Sequence, residues 1–285
     1  MIKKFLAIIL GLVFLASVAA AADSFNGVYG AGSEKFTLAT GSPGELGLLQ
    51  ALAEGFNQTV QGKATLQWIK AGSGKSLQLL KDQKVDMVMV HAPAAEKKAV
   101  QEGWATDRTL IGSNEFFMVG PASDPAKIAA AKSATDAYRR IAKAKAKFFY
   151  RGDNSGTHKK ELQIWKAAGI QPQGDWYVVT KDFMTATLKR ANQEKGYFMV
   201  DSSTWTAEKK HMADLKVLYK GDKMLVNTYN ALAQPTGATP GAALAAKFIA
   251  FVASPQGQQI IKDYGKDRYG EGLYNDAAYA RQYEK

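Results

Sequence analysis

The stretch richest in chemically capable side chains is Arg151-Gly152-Asp153-Asn154-Ser155-Gly156-Thr157-His158. It follows the apolar run Phe148-Phe149-Tyr150 and precedes a segment in which Leu162, Trp165 and Ala168 recur every three residues up to Gly169. That spacing predicts a short amphipathic helix with a glycine end. A strand that opens into such a loop and then into a helix gathers hydroxyls, unpaired helix N–H groups and one guanidinium at a single point, and such a point attracts anions. The same residues also have a plainer reading, in which Asp153, Asn154 or Ser155 caps the helix and Arg151 pairs with Asp153.

The junction recurs. Residues 35–39 read as a strand ending in Thr40-Gly41-Ser42-Pro43-Gly44, after which Leu46, Leu49, Ala53 and Phe56 fall at helical spacing. Thr40 and Ser42 each bring an O–H, and Ser42-Pro43 is also an ordinary helix start. Residues 64–69 form another strand, and Gly72-Ser73-Gly74-Lys75-Ser76 then opens a helix carrying Leu77 and Leu80. Gly74-Lys75-Ser76 is not a nucleotide phosphate loop, because that pattern requires glycine where this chain has Ile69. Asp201-Ser202-Ser203-Thr204-Trp205, after a strand over 196–200, is a fourth hydroxyl-rich stretch.

These loops need a scaffold to position them. Val85-Asp86-Met87-Val88-Met89-Val90 is nearly continuous apolar sequence, the pattern of a strand buried on both faces of a parallel sheet. Helices are predicted over 95–102, 125–146 (with Ser133 as a cap and Asp136 in the first turn), 182–194 and 240–252. Strands are predicted over 115–119, 176–179, 215–219 and 225–233. The alternation gives an α/β class with mostly parallel sheets flanked by helices. No internal repeat or long linker interrupts it, and the apolar runs over 116–119 and 226–233 each lead out of one α/β pattern into another. Two lobes are therefore expected, 23–119 with 226–285 as lobe one and 120–225 as lobe two.

Length and composition fit two domains, with 285 residues and 46% hydrophobic content. Lys3 and Lys4, the apolar run over 5–15 and the small residues over 16–22 have the layout of a cleavable secretory signal, so residues 1–22 are expected to be removed on export. No later stretch approaches the roughly 18 to 20 apolar residues of a membrane span. The chain has no cysteine, which excludes disulfides, thiolate metal sites, cysteine nucleophiles and a lipid-modified cysteine tether. An exported chain without that tether is expected in the periplasm of a diderm bacterium. The net charge of +11 is spread along the chain, so no nucleic-acid partner is expected, and the positive field favours anionic ligands.

An exported hydrolase is the alternative of another class. It lacks its signature, because the serine of Gly152-Asp153-Asn154-Ser155-Gly156 stands one place late for a G-x-S-x-G elbow. His91, His158 and His211 have no metal-cluster spacing and read as capping or solvent-facing residues, and Arg151-Gly152-Asp153 reads as a chance tripeptide. Neither a cofactor nor a protein-ligated metal is expected.

Over most of the chain after the leader, the sequence resembles the tungstate-binding receptors of bacterial ABC importers, within the type II periplasmic binding proteins. The resemblance is carried by Gly72-Ser73-Gly74, by Val85 through Pro93 with Glu96, and by Phe117-Met118-Val119-Gly120-Pro121-Ala122-Ser123-Asp124-Pro125. It is carried most specifically by Arg151 through His158 with Glu161 and Trp165. It implies a two-lobe α/β fold, each lobe a mostly parallel sheet flanked by helices, closing over a tetrahedral dianion. Loop hydroxyls, helix N–H groups and an arginine would hold the anion, and a monomeric receptor would hand it to the importer's membrane permease. By motif, the ligand-binding residues are Thr40, Ser42, Ser73, Arg151, Ser155 and Thr157. The implied ligand is tungstate, with molybdate, phosphate or another oxyanion as alternatives.

The chain departs from the family pattern at three places. Gly41 and Pro43 intervene where the family has more threonines, Val200-Asp201-Ser202-Ser203-Thr204 lacks the arginine of a T-D-R-x-T pattern, and Thr185 stands where glycine is usual. Energetically, roughly six to eight hydrogen bonds to a charged ligand at about 1.5 to 3 kcal/mol each suffice for nanomolar binding after desolvation and closure are met.

Overall fold

The computed structural model describes residues 25–284. The leader expected over 1–22 lies outside the described residues. The strands are β1 (Gly27–Tyr29), β2 (Glu34–Thr40), β3 (Ala64–Lys70), β4 (Met87–Val90), β5 (Thr106–Pro121), β6 (Phe148–Tyr150), β7 (Tyr177–Val179), β8 (Tyr197–Asp201), β9 (Leu215–Tyr219) and β10 (Val226–Ala233). The helices are α1 (Ser42–Glu45), α2 (Leu48–Thr59), α3 (Ser73–Lys81), α4 (Pro93–Gln101), α5 (Ala134–Ala144), α6 (Gly156–Ala167), α7 (Met184–Gln193), α8 (Ser202–Glu208), α9 (Ala242–Ala253), α10 (Pro255–Asp263), α11 (Lys266–Tyr269) and α12 (Ala277–Ala280).

The strands form one continuous sheet in the order β1-β3-β2-β4-β10-β5-β8-β6-β7, with β9 also on β5. Pairing is parallel for β2 with β3 and β4, and for β6 with β7 and β8. Between these two parallel groups run the antiparallel strands β10 and β5. Strand β5 serves both groups. Residues Thr106 to Glu115 pair with β10, and residues from Phe116 onward pair with β8 and β9. Only its second half was readable as a strand, because Thr106-Asp107-Arg108-Thr109 carries no apolar run and owes its conformation to pairing with β10.

The side-chain period of two explains the double-faced burial of β4. Met87 and Met89 join a cluster containing Phe36, Leu38, Leu66, Trp68, Phe56 and Phe248, whereas Val88 and Val90 join a second cluster with Ala39, Leu77, Leu80 and Leu232. A third cluster lies wholly within 116–225 and is built on Phe116, Tyr138, Phe148, Trp165 and Phe198. The segment after β10 returns to the first cluster through Phe248, Phe251, Ile261 and Leu273.

Several local expectations need correction. The 125–146 stretch is not one helix: Ile128–Ala130 is an isolated 3-10 turn, and α5 starts after Ser133, whose hydroxyl accepts from Asp136 N at 3.1 Å. Gly47, at φ +90°, breaks the helix expected after residue 44 into α1 and α2, with Gly41 rather than Ser42 at the first cap position. In α6 Leu162 is 45% exposed, and the buried stripe is Thr157, Glu161, Ile164, Trp165 and Ala168. The fourth hydroxyl stretch is the first turn of α8, capped by Asp201.

Candidate functional site

Strands β2, β3, β6 and β8 run directly into α1, α3, α6 and α8, and the first two junctions face the last two across a seam. Ser42 Oγ lies 3.5 Å from Asp201 Oδ2. A Cβ placed on Gly72 would lie 3.1 Å from Ser155 Cβ and 3.7 Å from Arg151 Nη2, and one on Gly74 would lie 2.5 Å from the Asn154 carbonyl oxygen. A Cβ on Gly156 would lie 2.4 Å from His91 Cε1 and 2.7 Å from the His91 carbonyl oxygen. Gly74 and Gly156 thus let the junctions approach more closely than any side chain allows, and Gly72 sits where a Cβ would be tight.

Arg151 is only 5% exposed. Its Nε and Nη2 donate to Asp153 Oδ2 at 3.1 and 2.6 Å, and Nε also donates to the Asp182 carbonyl at 3.2 Å. The ion pair that sequence offered as the plainer reading is therefore made, and it orients the guanidinium. Among the described residues Nη1 makes no hydrogen bond. Asp153 reaches back because Gly152 and Asn154 adopt left-handed φ of 64° and 58°, and its Oδ1 accepts from Ser155 N at 3.1 Å.

The hydroxyls divide into committed and available donors. Ser155 caps α6, its oxygen accepting from His158 N at 3.2 Å, and Ser73 Oγ accepts from His91 N at 3.2 Å. Neither bond uses the hydroxyl proton. Thr157 Oγ1 is buried with no hydrogen-bond partner among the described residues. Thr40 differs from the expectation: it is fully buried, and its one proton goes to the Met89 carbonyl at 2.8 Å, tying β2 to β4. The first N–H groups of α3 and α6, at Ser73, Gly74, Gly156 and Thr157, have no carbonyl one turn back to bond.

The structure corrects the reading of His91 and fixes the direction of the Asp201 carboxylate, which the sequence leaves open. His91 is neither a cap nor solvent-facing. Its ring lies 5.0 Å from that of Tyr229 and 6.3 Å from that of Phe116, and Nδ1 is buried with no hydrogen-bond partner among the described residues. Burial first, and the charge of Arg151 second, lower its pKa to about 3, so the imidazole is neutral. Asp201 is 1% exposed and accepts from Ser203 Oγ, Thr204 N (2.8 Å), Thr204 Oγ1 (2.9 Å) and Asn114 Nδ2 (3.4 Å). Burial raises its pKa, and these hydrogen bonds oppose the rise. Asn114 is 87 positions away in sequence, so only the sheet register could reveal it. No group of three or more His, Cys, Asp or Glu able to hold a metal occurs among the described residues.

A family model described as a PBP superfamily domain matches residues 27–256. The chain is 34% identical over 243 residues to the tungstate-binding protein TupA of Peptoclostridium acidaminophilum, covering 84% of each chain. Among solved structures, the tungstate ABC transporter structure from Geobacter sulfurreducens is 36% identical with a TM-score of 0.74, covering 82% of this chain and all of that one. The tungstate-binding protein TupA from Desulfovibrio alaskensis is 35% identical with a TM-score of 0.71, covering 86% of this chain and 99% of that one.

Beneath the Arg151 loop, Glu161 anchors α6. Its Oε1 accepts from Trp165 Nε1 and Tyr177 OH, both at 2.6 Å, while Oε2 is buried without a partner among the described residues. Burial raises its pKa to about 7. The folded state therefore binds a proton that the unfolded chain has released above about 4.5. The stability this contributes is full below that pH and is lost as pH rises through 7. Glu161→Gln should lose less unfolding free energy than the unaltered chain between pH 5 and 7.5, by on the order of 2 kcal/mol, in denaturant titrations at both pH values.

Proposed function

The chain belongs to the PBP superfamily, in the family of tungstate-binding proteins of ABC transporters, and from that membership we propose that it captures tungstate in the periplasm and delivers it to an importer's membrane permease. The observation that carries this reading is the buried, Asp153-oriented guanidinium of Arg151 set among helix N-termini and the unpartnered hydroxyl of Thr157. Arg151 Nη1, the hydroxyls of Ser73, Ser155 and Thr157, and the first N–H groups of α3 and α6 act as donors to the oxyanion, and Ser42 joins them by giving up its long 3.5 Å bond to Asp201 Oδ2. Thr40 forms the wall behind them. Residues 23–119 with 226–285 form one lobe and 120–225 the other, with β5 and β10 as the connection. The leader over 1–22 directs export, and the receptor works as a monomer.

The donors select the protonation state of the ligand. Tungstate and molybdate are fully deprotonated near neutral pH, whereas monohydrogen phosphate brings an O–H that needs an acceptor. Both carboxylates near the site are already engaged, Asp153 by Arg151 and Ser155 N, and Asp201 by Ser203, Thr204 and Asn114. Calorimetric titration with tungstate, molybdate, sulfate and phosphate tests this. Tungstate and molybdate should bind tightest, and tightest binding of phosphate would overturn the reading.

Arg151→Ala should weaken tungstate binding by about 2 to 5 kcal/mol, and it should lower the melting temperature of the ligand-free protein because Asp153 loses its cation. Arg151→Lys should recover only part of the affinity, since an ammonium cannot serve Asp153 and the anion in the same planar geometry. Affinity of the alanine variant within threefold of the unaltered chain would remove Arg151 from the site. Gly156→Ala puts a methyl group against His91 across the seam. It should weaken tungstate binding at least about tenfold, as expected for loss of a kcal/mol or more on overpacking. The ligand-free melting temperature, read by differential scanning calorimetry, should hardly change if the seam opens without ligand.

A further inference from the structure

Phe183 occupies the cap position of α7 without any side-chain cap hydrogen bond. An aromatic residue there forgoes the stabilisation that Ser, Thr, Asp or Asn would give. Its ring has another use. The centroid lies 4.5 Å from Lys70 Nζ and 5.4 Å from Arg151 Cζ, both within the range of cation–π attraction. Lys70 is the last residue of β3, three positions before Ser73, and belongs to the lobe opposite Arg151 and Phe183. The carbonyl of Asp182, one residue earlier, accepts from Arg151 Nε at 3.2 Å.

Resting on the reading of the seam as an oxyanion site, we propose that Phe183 is a positioning residue: an aromatic clasp that takes Lys70 as the lobes close and backs the guanidinium of Arg151. An aromatic face suits this place better than a carboxylate. It attracts both cations, consumes none of the Arg151 N–H groups and adds no negative charge to repel the dianion. Lys70 also donates to Glu45 Oε1 at 2.9 Å, which steers the ammonium from its own lobe. The arrangement brings a second cation toward the site, held like Arg151 by a carboxylate of its own, and the order of residues along the chain gave no sign of it.

The test is calorimetric titration of tungstate into the full chain and its variants, with ligand-free melting temperatures alongside. Phe183→Leu should bind about three- to tenfold more weakly, the effect of losing one partly desolvated cation–π pair. Phe183→Tyr, which keeps the π face, should stay within about twofold. Lys70→Met should also weaken binding about threefold or more, and the double variant should lose less than the product of the two single losses. Should Phe183→Leu fail to fold, Lys70→Met and Phe183→Tyr still decide the matter. The clasp is refuted if Phe183→Leu or Lys70→Met binds like the unaltered chain, if Phe183→Tyr is as weak as the leucine variant, or if the losses simply multiply. Failure of the unaltered chain to take up tungstate or molybdate would instead overturn the reading of the site on which the clasp depends.

Discussion

A guanidinium as deeply buried as that of Arg151 needs its charge met inside the protein, since an unpaired ion there costs several kcal/mol. Asp153 meets it, and that one pairing dictates the form of the loop. Two guanidinium nitrogens converge on Oδ2, while Oδ1 takes the Ser155 N–H at the start of α6. The return of Asp153 toward Arg151 requires the left-handed backbone at Gly152 and Asn154. The same turn places Ser155 as the cap and Gly156 against His91. Because Arg151 and Asp153 nearly cancel in charge, a dianion at this loop is held by the direction of the remaining donors and the helix N-termini as much as by net charge.

The residues proposed as donors come from both parallel strand groups, so their relative placement depends on β5 and β10, which run between those groups. The apolar clusters of the two groups share no residue. Where β5 and β10 pass between them, buried polar side chains stand beside Phe116, Val226 and Tyr229: Asn227 donates to Asn114 at 2.9 Å, and Asn114 donates to Ser203 at 3.0 Å. Lys160 of α6 adds a bond to the Val226 carbonyl at 3.2 Å. A crossing of this kind, with glycines at the facing loops, separates at lower cost than a shared apolar core, because water replaces each hydrogen bond on opening.

Legibility in the sequence follows the range of the interaction. The β4 run, the cap at Ser133 and the strand-loop-helix junctions at residues 72 and 151 are written in residues adjacent along the chain and are present in the fold, whereas the helix after residue 40 is split at Gly47. Nothing local marks the first half of β5, whose strand character is lent by β10. Thr40 looked like a donor because its type and neighbours were right. Its commitment to Met89, 49 positions on, depends on the register of β2 with β4. His91 and Phe183 gave no signal of their own, since one is defined by Gly156 and Tyr229 and the other by Lys70, all remote in sequence.

Selectivity in such a cleft comes from the contrast between what is already bonded and what is not. Five donors converge on the Asp201 carboxylate, Ser42 Oγ among them at 3.5 Å, and Asp153 accepts on both oxygens. The acceptors are thus used internally, whereas Thr157 Oγ1 and the first N–H groups of α3 and α6 are donors without internal partners. An anion that only accepts satisfies every group it meets. One that carries a proton brings a donor where Asp201 is saturated and Asp153 has only one lone-pair site left on Oδ1, and a buried unmade hydrogen bond costs about 1 to 3 kcal/mol. Neutral His91 has an unpartnered Nδ1 at the same seam, but its ring is wedged against Gly156 and Tyr229, which leaves it to shape the closed form. In the proposed site, discrimination against a protonated anion follows from carboxylates whose acceptor capacity is largely claimed by internal donors.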